Sequence, residues 1–136
     1  MWHSYRALTD RSQGLFYLNS AIEAIGYGRY PDALFQLQKA LKYLQKAKDN
    51  EHTGKTFNYL GLTYRNLGQY AEALENYEQA LAIYRQLENR LIEADILGAI
   101  GSTYYLKSEY STALKYYHHA LIIIREVGNQ HNEAIV

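Results

Sequence analysis

Gly68-Gln69-Tyr70-Ala71-Glu72-Ala73-Leu74 has two counterparts in the chain, Gly28-Arg29-Tyr30-Pro31-Asp32-Ala33-Leu34 and Ser108-Glu109-Tyr110-Ser111-Thr112-Ala113-Leu114, each displaced by 40 residues. A second Ala-Leu pair follows each of them at the same interval, as Ala40-Leu41, Ala80-Leu81 and Ala120-Leu121. Self-similarity at a period of about 20–50 residues marks an architecture of stacked repeats and outranks any local motif. Residues 54–93 set over 94–133 agree at 13 of 40 positions, whereas 14–53 set over 54–93 agree at 7, so the first unit is the divergent one. The repeat divides the chain into a lead-in at 1–13, units at 14–53, 54–93 and 94–133, and the opening of a further, truncated unit at 134–136.

Within the second unit, Tyr70, Ala73, Leu74, Tyr77, Ala80, Leu81 and Tyr84 lie at i, i+3, i+4, i+7, i+10, i+11 and i+14. That spacing forms one stripe of an amphipathic helix and fits no strand. Upstream, Phe57, Leu60, Gly61, Tyr64 and Leu67 make a second stripe, which ends at Gly68, a residue suited to the left-handed conformation that stops a helix. Each unit is therefore a pair of helices, A then B. The predicted helices cover 10–26, 31–47, 52–67, 71–88, 91–107 and 111–127. Pro31 falls in a first helical turn, where a missing N–H costs nothing. The 15 tyrosines are mostly packing residues, large rings alternating with Ala and with Gly61 and Gly101 so that paired helices approach closely.

Composition narrows the function. The 136 residues carry 14 basic and 14 acidic side chains, so the charge balance points to no polyanion and no nucleic acid. There is no cysteine, hence no disulfide framework, thiolate metal site or cysteine nucleophile, and the composition is compatible with a reducing compartment. No apolar run approaches the roughly 18 residues of a membrane span, and no secretory leader pattern opens the chain. The expectation is a cytoplasmic protein with no membrane contact.

The frame resembles the tetratricopeptide repeat. In the second unit it is carried by Phe57, Leu60-Gly61, Tyr64, Gly68, Tyr70, Ala73, Tyr77 and Ala80, and in the third by Leu97, Ile100-Gly101, Tyr104, Ser108, Tyr110, Ala113, Tyr117 and Ala120. The first unit keeps Tyr17, Ala21, Gly28, Tyr30, Ala33 and Ala40 but departs at Ser20, Ala24 and Leu37. The resemblance spans about residues 14–133 and implies an all-α, right-handed α-solenoid of antiparallel helix pairs, with six helices and the start of a seventh. Its 40-residue period is similar to the long variant found in spindle-orientation adaptors and in bacterial, notably cyanobacterial, signalling proteins, and the extra length is expected in helix B and its exit. The family implies a scaffold that binds a peptide or protein segment, with no chemistry and no cofactor of its own.

The same resemblance places binding on the helix-A face that lines the inside of the superhelix. Off the packing stripe these residues are Leu15, Leu18, Ile22 and Ile25 in the first unit, Lys55, Asn58, Leu62 and Arg65 in the second, and Asp95, Gly98, Ser102 and Tyr105 in the third. Lys55 and Arg65 suit a carboxylate, Asn58 an extended backbone, and the first unit's aliphatics an apolar side chain or helix. The bland alternative is that the charged residues are merely solvated and that Leu15, Leu18 and Ile22 lie beneath Met1–Asp10. Chaperone-binding members clamp a C-terminal carboxylate with Lys, Asn and Arg, whereas the matching positions here are Leu18, Ile22, Tyr59, Asp95 and Ala99, so a chaperone-tail ligand is not expected.

Other constellations are weak. His118-His119 with His131 lacks metal-ligand spacing, because helix neighbours point about 100° apart. Glu72, Glu75 and Glu78 have no His or Ser partner for acid–base work. Gly26-Tyr27-Gly28 lacks the strand of a phosphate loop. No catalytic residues and no metal are expected. Ile122-Ile123-Ile124 is more apolar than a solenoid end should be, which suggests either a fragment of a longer array or self-association through the C-terminal face. The alternative function is accordingly a sensor or regulatory segment of a larger signalling or transcription protein.

Overall fold

A computed structural model describes the backbone of residues 2–135 and the side chains of residues 5, 6 and 9–132. It contains six helices, α1 (Trp2–Gly26), α2 (Tyr30–Lys46), α3 (Asn50–Asn66), α4 (Tyr70–Gln86), α5 (Arg90–Leu106) and α6 (Tyr110–Ile135), and no strand among the described residues. The fold is all-α, built of consecutive antiparallel helix pairs. Helices α2 to α5 each have 17 residues, and the turns between them are three residues long. Two such helices and two such turns make the 40-residue period, so helix B is here no longer than helix A.

Every turn closes in the same way. Gly28, Lys48, Gly68, Glu88 and Ser108 all have positive φ. In each, the N–H of the following residue reaches the carbonyl five positions back, as in Arg29 to Ala24 at 2.8 Å, Asp49 to Leu44 at 3.1 Å and Glu109 to Tyr104 at 2.9 Å. This pair-wise closure satisfies helix carbonyls that would otherwise lack a donor. The next helix then starts on a side-chain cap where an A helix follows: Asp49 accepts from the His52 N–H and Asn89 from the Ile92 N–H.

The first compact unit, Met1–Ala80, packs α1 on α2, α2 on α3 and α1 on α3. Its core comprises Leu18, Ala21, Leu37, Ala40, Leu44 and Leu60, with Phe57 and Tyr64 against it. The second unit, Leu81–Val136, packs α5 on α6, and its buried residues include Ile96, Leu97, Ile100, Ala113, Ala120 and Ile123. Buried threonine hydroxyls do not go unpaired: Thr56, Thr63 and Thr103 donate to the carbonyls of His52, Tyr59 and Ala99, one helical turn back.

Close approach of A to B depends on small residues. A Cβ on Gly61 would stand 2.6 Å from the Tyr77 ring, and one on Gly101 would stand 3.0 Å from the Tyr117 ring. At the equivalent positions of the first unit the pair is Ala21 and Leu37, both fully buried in one cluster. A larger A residue is matched by a smaller B residue, which conserves volume at the contact.

Two expectations change. The first helix begins at Trp2, not at residue 10, so residues 2–10 continue α1 and do not fold back over Leu15, Leu18 and Ile22. The sixth helix runs to Ile135 instead of closing near 127. Each residue added to the helix adds one hydrogen bond, and Gly128, at the register of Glu88, stays within it. The opening of a further unit at 134–136 falls on side chains outside the described residues.

The Gly61–Tyr77 contact yields a double-mutant prediction. Gly61→Ala should destabilise the protein by about 1–2 kcal/mol through overpacking, despite the better helix propensity of alanine. Tyr77→Leu alone should cost about 2 kcal/mol. Combined, they recreate the Ala21–Leu37 arrangement, and denaturant titration should show a loss smaller than the sum by about 1 kcal/mol.

Candidate functional site

In the first unit, the predicted binding face of α3 is present as a stripe along one side of the helix. Lys55 is exposed, while Asn58, Leu62 and Arg65 are half-buried. Three turns of helix hold these four side chains at fixed spacing, because α3 is anchored by its opposite stripes: Thr56, Leu60 and Thr63 are buried, and Gly61 lies under Tyr77. Arg65 is engaged within the fold as well. Burial pushes the Tyr77 phenol above its ordinary value of 10.0, and the positive charge of Arg65 opposes that shift.

On α1 the expected face is only partly available. Leu15, Ile22 and Ile25 are half-buried, but Leu18 is 1% exposed and belongs to the core with Leu37 and Leu60. The correction has a plain cause: α1 packs against both α2 and α3, so its buried arc is wider than a single stripe. In the second unit, Asp95 and Tyr105 are exposed on α5, with Gly98 and Ser102 half-buried between them. Tyr105 meets Tyr110 edge to face at 5.1 Å, which sets its ring beside the turn at Ser108.

The histidines and glutamates set aside above stay dispersed. His118, His119 and His131 are exposed, as are Glu72, Glu75 and Glu78, and among the described residues no group of three or more His, Asp or Glu is placed to hold a metal ion. Among the described residues no helix is long and apolar enough to cross a membrane.

Two ionic clusters escape a reading by stripes. In the second unit, Glu93 is 4% exposed and accepts from Arg85 at 3.2 Å and from Arg90 at 3.3 Å, while Arg90 also holds Glu126 at 2.7 Å. These four residues tie the end of α4, the start of α5 and α6 together. Each carboxylate already has a guanidinium partner, so the cluster is a brace and not an acid–base centre. The available signal was the Arg85…Glu93 spacing across the turn, which recurs in sequence as Arg125…Glu133.

In the first unit, Asp49 caps α3 and also receives Arg11 Nε and His52 Nδ1, each at 2.8 Å. Burial pushes its carboxyl up, but the His52 N–H, the Arg11 guanidinium and the His52 ring together outweigh burial and hold it below the ordinary 3.8. A carboxyl lowered in the folded state contributes stability above its unfolded pKa and loses it as pH falls through the folded value. Thermal or urea unfolding across pH should therefore show Asp49→Asn less stable than wild type at neutral pH, with the gap narrowing as pH drops below about 4.

Comparison with known proteins fits this geometry. A tetratricopeptide repeat model matches residues 27–86 and 52–126. Among solved structures, the tetratricopeptide domain of Arabidopsis FLU is similar at 21% identity and a TM-score of 0.78, covering 86% of this chain and 98% of that one. BtubC from P. vanneervenii is similar at 18% identity and a TM-score of 0.78, over 85% of this chain and 48% of its own. The N-terminal domain of stress-induced protein-1 from C. elegans has 16% identity and a TM-score of 0.65, over 96% and 95%. No curated protein matches the chain. At these identities the solved structures show a common fold, and the family model, which spans most of the residues, shows that the chain belongs to the tetratricopeptide repeat family.

Proposed function

We propose that this chain is a non-enzymatic scaffold that binds a peptide or protein segment on the binding faces of its A helices. The observation that carries the reading is the α3 stripe. Lys55, Asn58, Leu62 and Arg65 combine a cation, an amide, an aliphatic and a second cation on one face, exposed or half-buried, while the rest of the helix is committed to the core. A helix held this rigidly loses little freedom on binding, so a few side chains set affinity and specificity. Leu15, Ile22 and Ile25 extend an apolar surface on α1, and Asp95, Ser102 and Tyr105 offer a separate polar and aromatic surface on α5.

The ligand chemistry that fits α3 is an extended segment with a carboxylate and an apolar side chain. A clamp for a terminal carboxylate of the chaperone-tail kind is not part of the proposal. Of the matching positions, Leu18 is buried, Tyr59 packs on the core, and Asp95 would repel an anion.

Affinity capture from the source lysate tests the proposal when three forms are compared: wild type, a Lys55→Glu/Asn58→Ala double variant, and a Glu78→Lys control on the exposed side of α4. After equal folding is verified, a specific partner should be held by wild type and control, and weakened at least about tenfold, or about 1.4 kcal/mol, in the double variant. Equal capture by all three would overturn the assignment of the α3 face.

A further inference from the structure

We propose that copies of this chain associate head to tail, the exposed face of α6 in one copy receiving the exposed face of α1 in the next. The inference concerns the two end faces and stands apart from the binding faces proposed above. It begins with one stripe on α6: Leu114, Tyr117, Leu121 and Ile124, at i, i+3, i+7 and i+10, are 66%, 38%, 42% and 47% exposed. Their counterparts 80 residues earlier are Leu34, Leu37, Leu41 and Leu44, which are buried or half-buried where α3 packs on α2. The α6 stripe is thus one half of a joint that the chain builds within itself.

The other half of that joint lies on α1. On α3 and α5 the stripes Thr53, Thr56, Leu60, Thr63 and Glu93, Ile96, Ile100, Thr103 are buried throughout. At the corresponding positions α1 carries Gln13, Phe16, Ser20 and Glu23, of which Ser20 is half-buried and the others exposed. Phe16 is 64% exposed, whereas Thr56 and Ile96 at its equivalent positions are fully buried. In the register of the α2–α3 joint, Phe16 of one copy lands on Ala120 of the next, with Tyr117, Leu121 and Ile124 around it.

Charge agrees with the same register. The Arg85–Glu93 bond has its counterpart in Arg125 opposite Gln13, and Lys115 comes beside Glu23, so neither cation is set against another cation. The interface joins two different surfaces, so it propagates beyond a dimer.

Sedimentation velocity over a wide concentration range tests this with wild type, Phe16→Glu and Leu121→Glu, each first shown by circular dichroism to retain its helix; if one does not, Phe16→Gln or Leu121→Gln replaces it. Wild-type mass should climb with concentration past twice 15.8 kDa, while each variant alone stays at 15.8 kDa. An equimolar mixture of the variants should restore a species of two copies and nothing larger, because it holds one intact α6 face opposite one intact α1 face. A wild type that remains at 15.8 kDa, a Phe16→Glu variant that climbs like wild type, or a mixture without a two-copy species would each overturn the proposal.

Discussion

The contact between a small residue on helix A and a large side chain on helix B governs this structure. Gly61 under Tyr77, Gly101 under Tyr117, and Ala21 in one cluster with Leu37 occur at 40-residue intervals and solve the same problem three times. Without close approach at these points, paired 17-residue helices would not bury their stripes against each other. The three-residue turns are short enough to demand that approach, and they repeat one backbone solution even where the left-handed residue is Lys48, Glu88 or Ser108 and not glycine. A non-glycine residue in that conformation costs roughly 1 kcal/mol. Its persistence at equivalent positions shows that packing of the flanking helices outweighs local preference.

Much of this could be read before any coordinates. The period, the pairing of helices, their order and the turn positions all follow from the spacing of Tyr, Ala, Leu and Gly, because each hairpin contacts mainly its neighbours and a repeat confines its information to one unit. The features that stayed hidden are those where a residue does more than its stripe indicates. Leu18 reads as a binding-face residue by register, yet α1 packs against two helices at once and draws it into the core. Glu93 reads as an ordinary acidic residue in a first helical turn, yet it is buried because Arg85 and Arg90 converge on it from either side of a turn. Gly128-Asn129 repeats the register of the Glu88-Asn89 turn and reads as a stop, yet α6 continues through it to Ile135.

Allocation of faces links the fold to its use. On α3 one stripe meets α4, where Gly61 lies under Tyr77, a second is buried where α2 packs on it, and a third, Lys55, Asn58, Leu62 and Arg65, is left partly open. The stripe by which α3 packs on α2 has buried counterparts on α5 and mostly exposed ones on α1, and the stripe of α6 that corresponds to α2 is exposed. Side-chain chemistry on the open stripe varies from unit to unit, whereas substitutions on the contact between A and B compensate one another in volume, as Ala21–Leu37 and Gly61–Tyr77 do. That division permits ligand preference to change without loss of the fold.

Amide hydrogen exchange, resolved by residue and recorded at low protein concentration, tests most directly the claim that local hairpin packing holds the chain together. The account predicts protection maxima 40 residues apart on the buried stripes, around Thr56–Thr63 and Ile96–Thr103, with little protection over residues 2–9 and 128–135, which lie beyond the paired parts of α1 and α6. Uniform protection along all six helices, or protection maxima that ignore the 40-residue interval, would contradict it.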